Sequence, residues 1–326
     1  GADNPTSASL TRQGSAGATF RQTVIGAKFN GPDIFGGGKI TGSVYADFFG
    51  GGGGTLNQLL RIRVGSIDAN WKNTTLSFAL DKPVIAPREP DSLAQVGVSP
   101  LTAAGNLWLW QPQVRVEQRF KLRDAIGVRT QFGIYQTSES GTGQTSDTLA
   151  RSRPGYESRI EFSAGGESHR IEIAPGFHAS STRILGQSVP SRIFAVDWLM
   201  RPIARVDFIG TFFQGENMGI IGGLRQGVTV VGNQAHAVRG QGGWAQVKVR
   251  LTSRLSANIF GGQEDDRNRD LLRGATAKNQ SYAANLMYKL GTNILTSFEA
   301  STTRTSYLGS GVRSFPHYDL AIAYLF

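Results

Sequence analysis

The segment His317–Phe326 reads HYDLAIAYLF, and its pattern decides the fold class. Every second residue from Tyr318 onward is aromatic or aliphatic. The alternate positions from His317 to Ala323 hold a histidine, an aspartate and two alanines. Strict alternation predicts a β-strand whose two faces meet different surroundings. Aromatic residues near both ends of the apolar face are typical of a strand that crosses an outer membrane, with lipid on one side and a lumen on the other.

The same alternation recurs along the chain. In Leu60–Val64, Val114–Arg119 and Val247–Leu251, apolar residues alternate with arginine, lysine or glutamate. A two-residue period predicts strands rather than helices. We place 15 strands at residues 18–29, 38–50, 55–71, 74–83, 108–122, 125–138, 155–164, 168–178, 190–200, 203–214, 243–252, 255–263, 280–290, 293–305 and 314–326.

The connections between these strands alternate in length. Tight turns are expected near residues 72–73, 123–124, 165–166, 201–202, 253–254 and 291–292. Longer polar connections, rich in glycine, proline or serine, are expected near residues 50–54, 84–107, 138–154, 180–189, 215–242, 263–279 and 306–312. Transmembrane barrels have short periplasmic turns and longer extracellular loops. The sequence therefore predicts one all-β domain over residues 1–326, a transmembrane antiparallel β-barrel in the outer membrane of a Gram-negative-type bacterium.

The predicted strand number is odd, whereas bacterial single-chain barrels have even numbers. A further strand should precede the first one, either at Thr6–Arg12 or upstream of Gly1. Sixteen strands is therefore the expectation, with 14 as the alternative. Gly1–Pro5 has neither the basic start nor the apolar core of a signal peptide, so the sequence reads as a mature form or as one whose beginning is missing.

Composition excludes several classes of protein. No run of residues approaches the roughly 20 apolar residues of a transmembrane helix, and the absence of cysteine excludes disulfides and thiolate metal sites. The four histidines are not at metal-ligand spacing, and arginines interleave the acidic run Glu264–Asp270, so we expect no metal and no cofactor. No serine, histidine and acid motif points to an enzyme. A soluble β-sandwich would need a dry core, which charged residues on strand after strand contradict.

The net charge of +10 indicates anionic partners. The basic residues alternate into the expected lumen, so nucleic acid is not predicted. Polar faces carry Arg61, Arg63, Arg115, Arg119, Arg129, Arg159, Arg170, Arg205, Lys248 and Arg250, against Glu117, Glu157, Glu161, Glu172, Asp207 and Asp319. This cationic excess would concentrate anions in the pore.

Six of these residues are the predicted pore lining, namely Arg61, Arg63, Arg115, Arg119, Lys248 and Arg250. The pairs Arg61 with Arg63 and Lys248 with Arg250 are the strongest candidates, because neither has an acid beside it in sequence. Arg115 and Arg119 could be neutralised by Glu117, which lies between them in sequence.

The long connection at 84–107 contains Arg88, Glu89 and Asp91 and several apolar residues. It is too long for a surface turn and too apolar to lie wholly in water. We predict that it folds into the lumen and presents those three charges at the constriction; an extracellular lid or a trimer latch is the alternative. Gly215–Gly242 is a second candidate for the constriction, and its run Val228–Val231 could instead form a short added strand.

Several segments resemble the DcaP-like family of trimeric outer-membrane porins. They are Phe20–Pro32 (FRQTVIGAKFNGP), Gly42–Gly50 (GSVYADFFG), Leu60–Arg63 (LRIR) and, most specifically, Trp110–Val116 (WQPQVRV). The match covers residues 18–122 and is generic beyond them. The family's first strand is not visible, and its long tryptophan-bearing strand is reduced to Ser77–Pro83.

The resemblance implies a 16-stranded homotrimer whose pore is narrowed by an inward-folded loop. It also implies passage of small anionic solutes such as dicarboxylates, with outer-membrane lipid and lipopolysaccharide as surroundings. The sequence thus favours a porin with a preference for anions. A structural or adhesive barrel with a blocked lumen is the alternative.

Overall fold

The computed structural model describes residues 16–50, 59–94, 98–136, 154–224 and 227–324. Its strands are β1 (Ile25–Ile34), β2 (Gly38–Gly50), β3 (Leu59–Asn70), β4 (Thr74–Asp81), β5 (Gln111–Arg123), β6 (Ile126–Tyr135), β7 (Gly155–Gly165), β8 (Arg170–Ile184), β9 (Gln187–Ile203), β10 (Val206–Glu216), β11 (Val228–Val231), β12 (Gln234–Ala237), β13 (Arg239–Arg250), β14 (Leu255–Asp266), β15 (Thr276–Lys289), β16 (Ile294–Tyr307) and β17 (Gly311–Tyr324). Short 3-10 helices lie at Phe35–Gly37, Met218–Ile221 and Asn268–Asp270. None of the helices in the described part of the chain is long and apolar enough to cross a membrane.

Fifteen of these strands form one antiparallel sheet in which each strand pairs with its neighbours in sequence. The order runs from β1 to β10 and continues from β13 to β17, while β11 and β12 form a separate hairpin. This up-and-down arrangement is that of a transmembrane β-barrel, as the alternating sequence predicts. The strand expected at 6–12 lies outside the described residues.

Exposure alternates along the strands in the opposite sense to that of a soluble protein. Ile259 is 66% exposed and Leu320 is 85% exposed, whereas Asn258 and Glu299 are buried. Large apolar side chains covering one whole face indicate a surface that meets lipid. The polar face is turned to the inside.

Several predicted boundaries are wrong; the first strand begins at Ile25 rather than at residue 18, and the connection predicted at 306–312 has only three residues. Two further differences have local reasons. β1 does not end at residue 29 but continues through Pro32, where the register shifts between Asn30 and Asp33. Such a bulge accommodates a residue that cannot donate a ladder hydrogen bond. The long connection expected at 180–189 is a two-residue turn, because Leu185 and Gly186 have φ values of 51° and 74°, which a tight hairpin turn with two positive φ angles requires.

Within the ranges that the structure describes, the largest cluster of buried apolar residues lies on the inner side of the sheet, where the two longest connections meet the strands. Ile85 and Leu107 from the first connection pack with Ile220 from the second and with Ile193 and Phe213 of β9 and β10. Burying such side chains is the main stabilising contribution available to segments that otherwise make few backbone ladders. The run Val228–Val231 forms β11, the short added strand that the sequence offered as an alternative.

Candidate functional site: the charged inner wall and the inserted segment

The connection between β4 and β5, residues 82–110, is called the inserted segment; its residues 95–97 are not described. It lies against the polar face of strands far away in sequence. The backbone N–H of Asp91 donates to Gln246 on β13 at 2.7 Å, and Asn285 on β15 donates to the Asp91 carbonyl at 2.8 Å. Ser92 donates to Glu299 on β16 at 2.6 Å.

Arg88 fastens the inserted segment to another part of the inner wall, on β8 and β9. Its Nε donates to Asp197 on β9 at 2.7 Å, and its guanidinium also pairs with Glu172 on β8. Glu161 on β7 lies 3.6 Å away. With three acidic neighbours, Arg88 is a structural contact between segment and wall.

Glu89 and Asp91 present carboxylates to the space inside. Lys82 pairs with Glu89 at 2.7 Å, and Lys248 pairs with Asp91 at 3.2 Å. Burial acts to raise the pKa of Glu89, but the Lys82 ammonium and hydrogen bonds from Lys82 and Ser99 outweigh it, so the pKa lies below its ordinary value. Glu89 is therefore ionised at neutral pH.

At Gly105 the backbone of the inserted segment lies directly against the wall. A side chain at this position would collide with the carbonyl oxygens of Gly243 and Gln263 on β13 and β14. Its φ of +99° lies in the region that favours glycine, and Leu101 and Ala103 nearby also have positive φ. Only a residue without a Cβ fits where the backbone touches the sheet at this angle.

Arg61 and Arg63 share a carboxylate from the neighbouring strand, distant from them in sequence. Asp47 on β2 accepts from Arg61 through both oxygens, at 3.0 and 2.6 Å, and lies 3.7 Å from Arg63. Both guanidinium groups also lie over the Trp110 ring, at 5.3 and 4.8 Å from its centroid. The pair keeps one positive charge in excess of Asp47.

The other predicted lining residues are also paired. Arg115 lies 3.5 Å from Asp81, and Arg119 pairs with Glu117, the neutralising contact that the sequence left open. Arg250 pairs with Asp207. Arg205, expected on a polar face, instead lies in the turn between β9 and β10, because β9 continues to Ile203.

In most ion pairs that an arginine of these strands makes, the carboxylate is the more buried partner; Arg159 is itself buried, and Asp265 is more exposed than its partner Lys278. The side chains of Arg119 and Glu117 are 49% and 10% exposed, and those of Arg170 and Glu172 are 45% and 8% exposed. The Arg250 and Asp207 side chains show the same order. Arginine side chains are longer than those of aspartate and glutamate. They can therefore hold the guanidinium charge toward water while their aliphatic stems cover the acids. Water inside the barrel therefore meets mostly positive groups on the strands.

The inserted segment reverses this order. Glu89 and Asp91 are more exposed than the lysines that pair with them, and Asp81 at its edge is more exposed than Arg115. The segment thus presents negative charge opposite a positive wall. A solute passing between the segment and the wall would have negative groups on one side and positive groups on the other, and so would cross a transverse electric field.

Other candidate chemistry is not assembled in the described residues. No group of three histidine, aspartate or glutamate side chains there could hold a metal ion, the run Glu264–Asp270 included. His178 is buried, and it contacts Tyr135 and, at 2.8 Å, Glu157. A buried histidine with these partners has a structural role in the wall.

These features define a transmembrane β-barrel with the fold of outer-membrane porins. No protein-family model and no curated protein sequence matches the chain. Among solved structures, the outer membrane channel DcaP of Acinetobacter baumannii is similar, with a TM-score of 0.71 and 17% identity over 94% of this chain and 86% of that one. The OprB structure of Pseudomonas putida has a TM-score of 0.59 and 11% identity over 92% and 86% of the two chains. A refined porin structure has a TM-score of 0.55 and 11% identity over 93% and 92%. The likeness to the DcaP fold agrees with the resemblance found in the sequence.

Proposed function

We propose that this barrel is a porin through which small anionic solutes, dicarboxylates among them, diffuse across the outer membrane. The observation that carries the proposal is the order of exposure in the ion pairs along the strands, with guanidinium groups toward water and carboxylates beneath them. A low-dielectric wall focuses the field of such charges and raises the local concentration of anions. Arginine forks also match carboxylates in geometry.

The proposed pore lining consists of Arg61, Arg63, Arg115, Arg119, Lys248 and Arg250. The Arg61 and Arg63 side chains are partly exposed above buried Asp47, so they offer donors to a passing carboxylate without leaving an unpaired acid. Each contact is weakened by the partner already in place. Anions would therefore pass quickly and bind weakly, which conduction requires.

The inserted segment is the proposed constriction. Its contacts with the inner wall extend from β8 and β9 to β13, β15 and β16, far in sequence from the strands β4 and β5 that it connects. In this proposal Glu89 and Asp91 line the narrow zone, whereas Arg88 holds the segment in position. The opposed charges would orient dipolar or doubly charged solutes as they pass.

The proposed assembly is a homotrimer surrounded by lipid and lipopolysaccharide, in line with the sequence resemblance. A flat, small-residue region on the lipid-facing wall supports close packing of copies. Ala245 lies directly opposite Gly261, and Ala284 lies opposite Ala300. Together they form the floor of a shallow apolar groove across β13–β16.

The test is the reversal potential of the protein in a planar bilayer under a salt gradient. The variant Arg61→Ala, Arg63→Ala should reduce the anion preference. Its matched control is Arg192→Ala, Arg304→Ala, which removes the same charge from exposed, outward positions of β9 and β16 and should leave the preference unchanged. Equal shifts in both variants would contradict the proposed lining.

A blocked structural barrel remains the second candidate, because apolar packing between the two long connections fills part of the interior. Absence of conductance in the same bilayer experiment would favour it over the porin.

A further inference from the structure

Five arginines cluster at the end of the inner wall where the strands are joined by short turns. They are Arg119 on β5, Arg129 on β6, Arg170 on β8, Arg201 on β9 and Arg250 on β13. Each lies within a few residues of a short turn, at 124–125, 166–169, 204–205 or 251–254. Short turns mark the periplasmic end of a transmembrane barrel. We call these five residues the periplasmic arginine arc.

The arc spans seven strands that are consecutive in the sheet, and its members are closely spaced. Arg119 lies directly opposite Arg129, and Arg170 lies directly opposite Arg201. Like charges in directly opposed positions destabilise a sheet. Each of these four arginines also pairs with a carboxylate, so the strands hold two pairs of guanidinium groups close together at this end of the wall.

Carboxylates beneath the arc do not balance it. Three members of the arc, Arg119, Arg129 and Arg170, share acidic partners with Arg88 and Arg159. These five arginines have four carboxylates between them, namely Glu117, Glu161, Glu172 and Asp197. Asp207 alone serves both Arg201 and Arg250. Each set of contacts therefore carries a positive excess, and the acids are the buried partners. The arginine side chains of the arc are more exposed than their acidic partners.

We propose that the periplasmic arginine arc is a second anion-binding station, selective for multivalent oxyanions. Such ions carry more than one charge and several oxygen acceptors, so separate oxygens can each pair with a guanidinium group on a different strand, whereas chloride is a single atom with one charge. The arc is separate from Arg61 and Arg63, which lie near the opposite end of β3, just after the connection at 51–58. The inference rests on the proposed porin function and extends it to the exit of the pore.

Sided block of the chloride current tests this proposal, with inorganic pyrophosphate as the probe. The chain has no cysteine, so a single Lys72→Cys substitution in a short turn reports the orientation of the inserted barrel through a membrane-impermeant thiol reagent. In the parent, pyrophosphate should block at lower concentration from the Lys72 side than from the other. In Arg119→Gln, Arg170→Gln, the half-blocking concentration from that side should rise about tenfold, on the scale of lost charge-assisted hydrogen bonds, while block from the other side stays constant.

The variants Arg61→Gln, Arg63→Gln and Arg192→Gln, Arg304→Gln are the controls. The first should change block only from the opposite side, and the second should change neither. Unchanged block from the Lys72 side in Arg119→Gln, Arg170→Gln would overturn the second station even if the pore prefers anions. Failure of the porin proposal itself would give a different result, namely a parent channel that shows no preference for anions. Heat-modifiable migration of each folded barrel establishes that the variants retain the fold.

Discussion

Arg88 of the inserted segment donates a hydrogen bond of 2.7 Å to Asp197 of β9, 109 residues further along the chain. Asp197 is buried and also accepts from Arg159 at 2.6 Å. A single carboxylate thus connects the segment inside the barrel to the wall and to the ion pairs around it. The position of the segment depends on charge as well as on apolar packing.

Arg88→Ala should loosen the inserted segment without unfolding the barrel. Asp197 keeps Arg159 as a partner, so the loss should be about 2 kcal/mol, as for a charge-assisted hydrogen bond, and not the larger cost of stranding a buried charge. Single-channel recordings should show added current fluctuations. Arg192→Ala is the control, because it removes an arginine from an exposed, outward position of β9 and should leave the recording as quiet as the parent's. A recording of Arg88→Ala as quiet as the parent's would contradict the role of Arg88.

Gly105→Ala should displace the segment from the wall. Alanine at a left-handed φ costs about 1–2 kcal/mol, and its Cβ would collide with backbone oxygens of β13 and β14. The apparent melting temperature of the barrel should fall, and conductance should change with it. Gly166→Ala in a short turn meets no atom within 4 Å and should leave both unchanged. Equal melting temperatures for the two variants would refute the close contact at Gly105.

Acid should affect the segment only well below neutral pH. A carboxyl whose pKa is depressed in the folded state contributes stability above its ordinary pKa, and this stability is lost as pH falls through the depressed value. The pKa of Glu89 is lowered from 4.5, so the Glu89–Lys82 contact should persist from pH 7 to below that value. Conductance should be measured as a function of pH for both proteins. At neutral pH, the conductance of Glu89→Gln should equal that of the parent in acid, because both then lack the Glu89 carboxylate charge. Asp124→Asn, in an exposed turn, should resemble the parent, and a parent transition near neutral pH would exclude Glu89 as its source.

Asp47→Asn should increase the preference for anions. The substitution removes the carboxylate between Arg61 and Arg63 while an amide oxygen can still accept the hydrogen bond from the Phe49 backbone. The reversal potential should therefore shift in the direction opposite to that of Arg61→Ala, Arg63→Ala. A shift toward cations would show that these arginines do not set the field of the lumen.

Much of the wall could be predicted from the sequence because a strand's faces follow directly from its two-residue period. The alternation in Val247–Leu251 places Lys248 and Arg250 on the polar face, and the structure has them there. The period cannot show cross-strand partners. Asp47 lies opposite Arg61 through the register of β2 and β3, and no spacing along the chain reveals that register.

The sequence by itself determined an antiparallel membrane barrel, its polar and apolar faces, and an inner wall rich in arginine, because alternation and turn length are local properties of the chain. Only the tertiary structure decided which acid lies beneath which arginine, that Arg88 holds the inserted segment to Asp197, and that arginines of five strands converge at one mouth. These relationships join residues far apart in sequence. They arise from sheet register and from the path of a long connection, both set by packing across the whole barrel.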